Sequence, residues 1–338
     1  MKERLLEWLA CPGCGSSLEL GPGANRQDDE IRDGELKCRE CSLSAPIRAF
    51  IPRFVDSDNY AANFGLQWQR FSTTQIDSCN GNSISRDRFL ATTGWDSLAR
   101  KVILDGGCGT GRFAEIALDL GAEVIALDYS EAADVCWANL RRFGSRIHVI
   151  QANLLKLPVK RDALGGAYSM GVLQHTPDPE RAFAQLASVV RPGGTVVADS
   201  YGRSKLRYLN SIYWYRPLLK HIPPRILFPL VERAVRLLHP IKHRLMTASV
   251  GNPLLAVGTS MVIPINSHWY QFPFLSEKIA VEWAILNTFD AYSPRYDQPQ
   301  SPDSMRRWAE HLGLRDIEVF CKPGHGDGTA LVCRGVKA

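Results

Sequence analysis

The sequence predicts an α/β protein built on a doubly wound parallel sheet, and three observations predict it. From Lys101 onward, short apolar segments alternate with amphipathic ones; a glycine-rich loop, Gly106-Gly107-Cys108-Gly109-Thr110-Gly111, follows the first of them; and acids, Asp105 and Asp128, stand at the ends of the first two. Residues 102–104 read as a buried strand, 113–120 as an amphipathic helix, 123–127 as a second strand, 132–143 as a helix and 148–152 as a third strand. A fourth strand is expected over 167–172, a helix over 179–190, and a fifth strand over 195–199 after the turn Pro192-Gly193-Gly194. The rhythm breaks at 203 and resumes with a helix over 302–312 and strands over 315–320 and 329–334. The expected divisions are therefore 1–55, a linker with one or two helices at 56–100, a core at 101–202, an insertion at 203–290 and the end of the core at 291–338.

With 338 residues, 45% hydrophobic and 22% charged, the chain can bury a real core, which excludes a disordered, collagen-like or small disulfide-stapled protein. Its longest apolar stretches, such as 256–265, are broken by Gly, Ser and Pro and fall short of the ~20 residues that span a bilayer. The opening Met1-Lys2-Glu3-Arg4 precedes six residues interrupted by Glu7, too short and charged for a secretory signal, so the expected location is the cytoplasm.

Net charge is +5, but residues 203–244 hold ten Lys or Arg against one acid, Glu232, a local +9 that leaves −4 for the rest. Within them Leu227, Leu230, Val231, Ala234, Leu238 and Ile241 keep helical spacing, with Arg225, Glu232, Arg236 and His239 on the opposite face. Three readings follow for this basic, aromatic-rich segment: a solvated lid, a platform for an anionic acceptor or a membrane surface, or an RNA contact.

Four of nine cysteines are patterned. Cys11 and Cys14, then Cys38 and Cys41, form two C-x-x-C knuckles that bring four thiolates within reach of one tetrahedral Zn²⁺, with iron as the rival ion. The unit over 1–55 is too small for its own core, so the metal is expected to hold it together. The other five cysteines are scattered, as reduced thiols would be.

The glycines after the first strand let a ligand approach the backbone closely. A dinucleotide loop is the competitor, but Asp105 beside a pyrophosphate would repel it, whereas an acid there suits a ligand with a positive amine. Asp128 after the second strand is placed to accept both hydroxyls of a ribose. The implied ligand is a nucleoside, cationic at one end and without phosphates, and S-adenosylmethionine fits.

These residues carry a resemblance. The run from Ile103 through Asp105, Gly106, Gly107, Gly109 and Gly111 resembles the first motif of class I S-adenosylmethionine-dependent methyltransferases, and Ile125 to Ser130 resembles the second. Gly171-Val172-Leu173-Gln174-His175-Thr176-Pro177-Asp178 and residues 186–194 are similar to the later ones. The resemblance implies a Rossmann-like seven-stranded sheet and donor contacts at Tyr129, Asn153, Leu154 and Gly171 as well as at the loop. Two departures stand out: Asn153 replaces the usual Asp, and Gly165-Gly166 replaces the usual Phe-Asp. The first 55 residues resemble the zinc-ribbon partners of tRNA methyltransferases, although Ala49-Phe50-Ile51-Pro52 stands where those often carry Asp-Gly-Ile-Pro. The whole order is similar to bacterial methyltransferases of surface-glycan and secondary-metabolite pathways.

Transfer to a hydroxyl needs a base, and His175 beyond the fourth strand is the candidate, ahead of Asp199, Tyr201 and His268. The bland alternative leaves His175 and Asp178 as the cap of the following helix. Gln67, Trp68 and Arg70 are candidates for the roof of the pocket. No Asn-Pro-Pro-Tyr-like signature for amino-group methylation follows the fourth strand. The expectation is O-methylation of a small polar or sugar-bearing acceptor. Its rivals are an RNA methyltransferase and a non-catalytic partner module. Acids around the knuckles, Glu19, Asp28, Asp29 and Glu40 among them, count against RNA, and the intact glycines count against a dead site.

Overall fold

The computed structural model describes residues 1–55, 61–204, 208–267, 271–322 and 330–338. Its strands are β1 (Leu18–Leu20), β2 (Asn25–Gln27), β3 (Glu30–Cys38), β4 (Ser44–Arg48), β5 (Ile51–Phe54), β6 (Val102–Gly106), β7 (Glu123–Asp128), β8 (Ile147–Ala152), β9 (Leu164–Ser169), β10 (Val190–Tyr201), β11 (Leu314–Lys322) and β12 (Ala330–Lys337). The helices are α1 (Ala62–Arg70), α2 (Asp77–Asn80), α3 (Ile84–Thr93), α4 (Arg112–Asp119), α5 (Ala132–Leu140), α6 (Pro179–Val189), α7 (Ile212–Leu219), α8 (Pro224–Ala248), α9 (Pro253–Val262), α10 (Glu277–Tyr292) and α11 (Pro302–His311).

Seven strands run in the order β8-β7-β6-β9-β10-β12-β11, parallel except for β12, which is antiparallel to both neighbours. Order reverses beside β6, so the crevice at the carboxyl ends of β6, β7 and β9 is where such a sheet binds ligands. The central strands β6, β7 and β9 are almost wholly buried because helices cover both faces.

The fourth strand lies three residues earlier than expected. It occupies Leu164–Ser169, and Gly171 sits beyond it in a turn at φ +75°. The unusual Gly165-Gly166 pair is therefore inside the strand. A Cβ on Gly166 would lie 3.0 Å from the Thr195 carbonyl oxygen and 3.2 Å from Ile103 Cδ1, so the neighbouring strands leave room only for hydrogen.

The first 55 residues extend the sheet instead of standing apart. β5 pairs parallel with β8, Arg53 opposite Gln151 and Phe54 opposite Ala152, and β4, β3 and β1 continue outward from β5. Arg53 forks onto both oxygens of Asp134 at 2.7 and 3.0 Å and bonds Gln151 at 2.7 Å. Leu5, Leu9, Ile31, Leu36 and Ile47 are fully buried in the same apolar cluster as Leu104, Ile125, Ile150 and Leu164. That corrects the expectation that metal alone holds this unit: its core is shared with the sheet it docks on.

The four cysteine sulfurs lie within 4.8 Å of one another, with Cys14–Cys38 at 3.4 Å, Cys11–Cys41 at 3.6 Å and Cys14–Cys41 at 3.7 Å. A tetrahedron with Zn–S bonds of ≈ 2.3 Å has sulfurs about 3.8 Å apart, so the set fits zinc. The amides of Gly13 and Glu40 point at Cys11 and Cys38 sulfurs at 3.4 Å, the turn that neutralises thiolate charge. This is a structural zinc site.

Residues 203–290 were expected as one insertion; their described part forms α7, α8, α9 and most of α10, which runs on to Tyr292. The expected face of α8 is corrected. The buried stripe is Leu227, Phe228, Val231, Val235, His239, Lys242 and Met246, while Leu230 and Ile241 are half exposed. The helix is apolar on two sides, so periodicity alone could not choose which one packs against α10, and it assigned His239 to the wrong side.

Because the ribbon and sheet share one core, Leu9→Ala should destabilise the whole chain by about 2–4 kcal/mol, seen as one shifted denaturant transition. Metal analysis should find about one zinc per chain. Its chelation should lower the midpoint of that same transition. A separate early transition confined to the ribbon, with the remainder unshifted, would show two independent units.

Candidate active site

A cavity of about 210 Å³ opens at the carboxyl ends of β6, β7 and β9 and is closed from above by α1 and α10. Its floor is the glycine loop. Gly107 and Gly109 adopt φ +87° and +53°, and a Cβ on Gly107 would lie 2.4 and 2.6 Å from the Val172 methyls. Gly109 faces the Trp68 ring, 3.5 Å from where its Cβ would stand. Gly111, at φ +89°, begins α4 and is packed against Leu140 and Cys136, and Gly106 is packed against Leu186 and Leu154. These two glycines shape the turn without lining the cavity.

Asp128 lines the cavity at the end of β7. Its Oδ2 accepts from the Gly109 amide at 2.9 Å, and its Oδ1 accepts from the Ser130 amide and hydroxyl at 2.8 and 2.7 Å. These bonds fix the carboxylate while leaving lone pairs for a diol. Burial raises its pKa above the usual carboxylate range. Asp105 is buried and does not line the cavity, but its Oδ2 lacks a hydrogen-bond partner among the described residues. Burial pushes its carboxyl up to about 7, and the charge of Asp128 adds to the shift.

Tyr129, Leu154 and Gly171 line the same cavity, and Asn153 does not. The Asn153 side chain instead accepts from the Leu155 amide at 2.9 Å, holding the turn that presents Leu154.

The opposite wall gathers His175, Tyr201, Phe64, Gln67 and Asp290. His175 Nδ1 is 3.1 Å from the Tyr296 carbonyl, which can only accept, so in the neutral ring Nδ1 carries the proton and Nε2 the lone pair. Nε2 has no hydrogen-bond partner among the described residues and stands 3.8 Å from Asp290 Oδ2. The Tyr201 hydroxyl donates to Asp290 at 3.2 Å. Burial raises the Asp290 carboxyl, with His175 pulling the other way.

Other candidates fall elsewhere. Asp178 caps α6 through the Arg181 amide at 3.0 Å. Asp199 has both oxygens engaged, by Arg88 at 2.9 Å and by the Gly171 amide, which makes it a brace. Arg70 points out and pairs with Glu232 at 3.7 Å, whereas Gln67 and Trp68 line the cavity. His268 lies outside the described residues. Sequence reasoning missed Asp290, Asn287 and Arg88, which also line the cavity. The only signal for the first two is a polar pair three residues apart on the otherwise apolar inner face of α10.

With this geometry in place, similarity to known proteins can be read. A methyltransferase-domain family matches residues 104–198, and a Trm112p-like protein family matches residues 2–48. Over these two stretches the chain is similar to a methyltransferase domain and to a Trm112p-like protein, respectively. Curated relatives include the ubiquinone biosynthesis O-methyltransferase of Vibrio parahaemolyticus, 32% identical over 38% of this chain and 55% of its own length. That of Shewanella halifaxensis is 33% identical over 36% of this chain and 53% of its own length. The chain thus spans about half the length of the curated relatives it matches. Among solved structures, a methyltransferase from Mesorhizobium loti is 29% identical over 34% of this chain and 52% of that one, at a TM-score of 0.31. A complex of the Haloferax volcanii Trm112 activator with a methyltransferase covers 83% of this chain and 99% of that one at 10% identity and TM-score 0.40. Strand order, not these superpositions, establishes the fold.

Two outcomes are expected. Gly107→Val should abolish binding of S-adenosylmethionine, and Asp128→Ala should weaken it by about 1.5–3 kcal/mol, read by isothermal titration. A cationic ligand holds Asp105 and Asp128 in their charged forms, so donor affinity should rise with pH through about 7, with protons released on binding below it. Titrations in buffers of different ionisation heat check this, and Asp105→Asn should flatten the profile.

Proposed function

We propose that this chain transfers the methyl group of S-adenosylmethionine to a hydroxyl of a small polar or sugar-bearing acceptor. The observation that carries the reading is the contact of His175 Nδ1 with the Tyr296 carbonyl. In the neutral ring, a proton held on Nδ1 by the Tyr296 carbonyl leaves Nε2 bare and buried, on a residue that lines the cavity. That is the geometry a hydroxyl acceptor needs from a base.

The donor supplies an electrophilic sulfonium methyl for in-line displacement. In this reading Gly107 and Gly109 admit it to the backbone, Asp128 takes its ribose hydroxyls, and Leu154 and Tyr129 flank its base. Arg88, beside Gly171, offers positive charge to its carboxylate. Phe64, Trp68 and Tyr201 hold the acceptor with its hydroxyl toward Nε2. As the new C–O bond forms, His175 takes the hydroxyl proton, and Asp290 at 3.8 Å stabilises the resulting imidazolium. The two curated relatives described above, both named ubiquinone biosynthesis O-methyltransferase, support oxygen as the acceptor atom.

The zinc unit reads as a fixed flank of the enzyme, because it is joined to the edge strand of the same chain. Its exposed acids at Glu19, Asp28, Asp29 and Glu40 argue against a path for RNA.

With a metabolite extract as acceptor source, S-adenosylhomocysteine release should fall ~10²-fold or more in His175→Ala at unchanged donor affinity. Asp290→Asn should lose less. Full turnover by His175→Ala would remove the base from the mechanism.

A further inference from the structure

All sixteen large apolar side chains that are exposed among the described residues lie between Tyr208 and Phe274. The described surface of the zinc unit and of the α/β core carries none. On α8, Ile226, Leu230, Leu237 and Ile241 recur every four or seven residues and form one outward stripe, 50–73% exposed. The two ends of α9 and the segment before it add Val250, Leu254 and Val262 at 78–84% exposed. Before and within α7, Tyr208, Trp214 and Tyr215 are exposed as well. These elements are neighbours: α9 packs on α8, and the Ser211 hydroxyl and amide at the start of α7 both donate to the Ser260 carbonyl of α9. A monomer in water gains nothing from gathering its whole exposed apolar surface on one insertion.

The charges beside the stripe indicate what covers it. Lys220, Arg225, Arg233, Arg236 and Arg244 are exposed, and the only acid from 203 to 244, Glu232, is already paired with Arg236 at 2.7 Å. Helical spacing places Arg233 and Arg244 beside Ile226, Leu230 and Leu237. A second copy on this face would oppose one basic surface to another. RNA would meet the cations but not the aliphatic stripe. An anionic bilayer meets both: acyl chains take Leu, Ile and Val, the interface takes Trp and Tyr, and headgroups take the guanidinium groups. No helix among the described residues is long and apolar enough to cross a membrane, so such a surface would lie on the bilayer without spanning it.

We propose that α7, α8 and α9 form a docking surface for anionic phospholipid membranes. Binding there requires neither donor nor acceptor, so the inference stands or falls separately from the methyl-transfer reading. α10, which packs on α8, contributes Leu286, Asn287 and Asp290 to the cavity, so docking would bring the cavity wall close to the lipid surface.

The test is sedimentation of the full zinc-loaded chain with sucrose-loaded vesicles of phosphatidylcholine with and without phosphatidylglycerol. The chain should pellet with the anionic vesicles and be released by raised salt. Leu237→Glu with Ile241→Glu should weaken pelleting about tenfold or more, as should Arg233→Gln with Arg244→Gln. Because these side chains are exposed, unchanged thermal unfolding and donor binding confirm that the variants fold. A chain that stays in the supernatant with anionic vesicles at low salt, or variants that pellet like the wild type, would overturn the proposal. So would a dimer in light scattering that the Leu237→Glu, Ile241→Glu pair dissolves, since a second copy would then own the face.

Discussion

The carbonyl of Leu127 accepts from two successive amides, Gly107 at 2.7 Å and Cys108 at 2.9 Å. This bond pair ties the glycine loop to the end of the neighbouring strand, and the geometry of the cavity depends on it. Leu127 itself is placed by the parallel register of β6 on β7, with Gly106 opposite Leu127. One residue further, the Gly109 amide reaches Asp128, so the loop and the carboxylate brace each other. On the other side of β6, the Ser169 hydroxyl donates to the Gly106 carbonyl at 2.7 Å, and Asp199 holds the Gly171 amide. The floor is therefore set by strand register before any ligand arrives, which is the preorganisation that alignment of two reactants requires.

The same sheet accounts for the zinc unit. A ribbon of this size cannot bury enough apolar surface alone, and here it does not try to: it adds strands to the β8 edge and shares a core with β6, β7 and β8. That closes an edge which would otherwise expose unpaired backbone groups. It also places the ribbon beside the third strand, whose far end carries Ala152 into the cavity. The ribbon and the donor site thus share strand β8.

How much of this could be read from the chain depended on distance along it. The four cysteines and the loop from Asp105 to Gly111 announce themselves because their chemistry is local in sequence. His175 was visible as a titratable residue just past a strand, but its tautomer is set by Tyr296, 121 residues away. Asp290 and Arg88 reach the cavity only through the packing of α10 and α3, which no motif encodes. The fourth strand was placed three residues late, with the Gly165-Gly166 pair before it, whereas the pair lies inside the strand and close approach of Thr195 and Ile103 is what requires a glycine at 166. On α8 two apolar faces competed, and tertiary contacts with α10 decided between them.

The most direct test of the account is the identity of the methylated product. The chain incubated with methyl-labelled S-adenosylmethionine and a fractionated cell extract should place the label in a low-mass or extractable methyl ether that survives mild alkali. Label recovered in bulk tRNA or rRNA, at the level of a dedicated RNA enzyme, would contradict it.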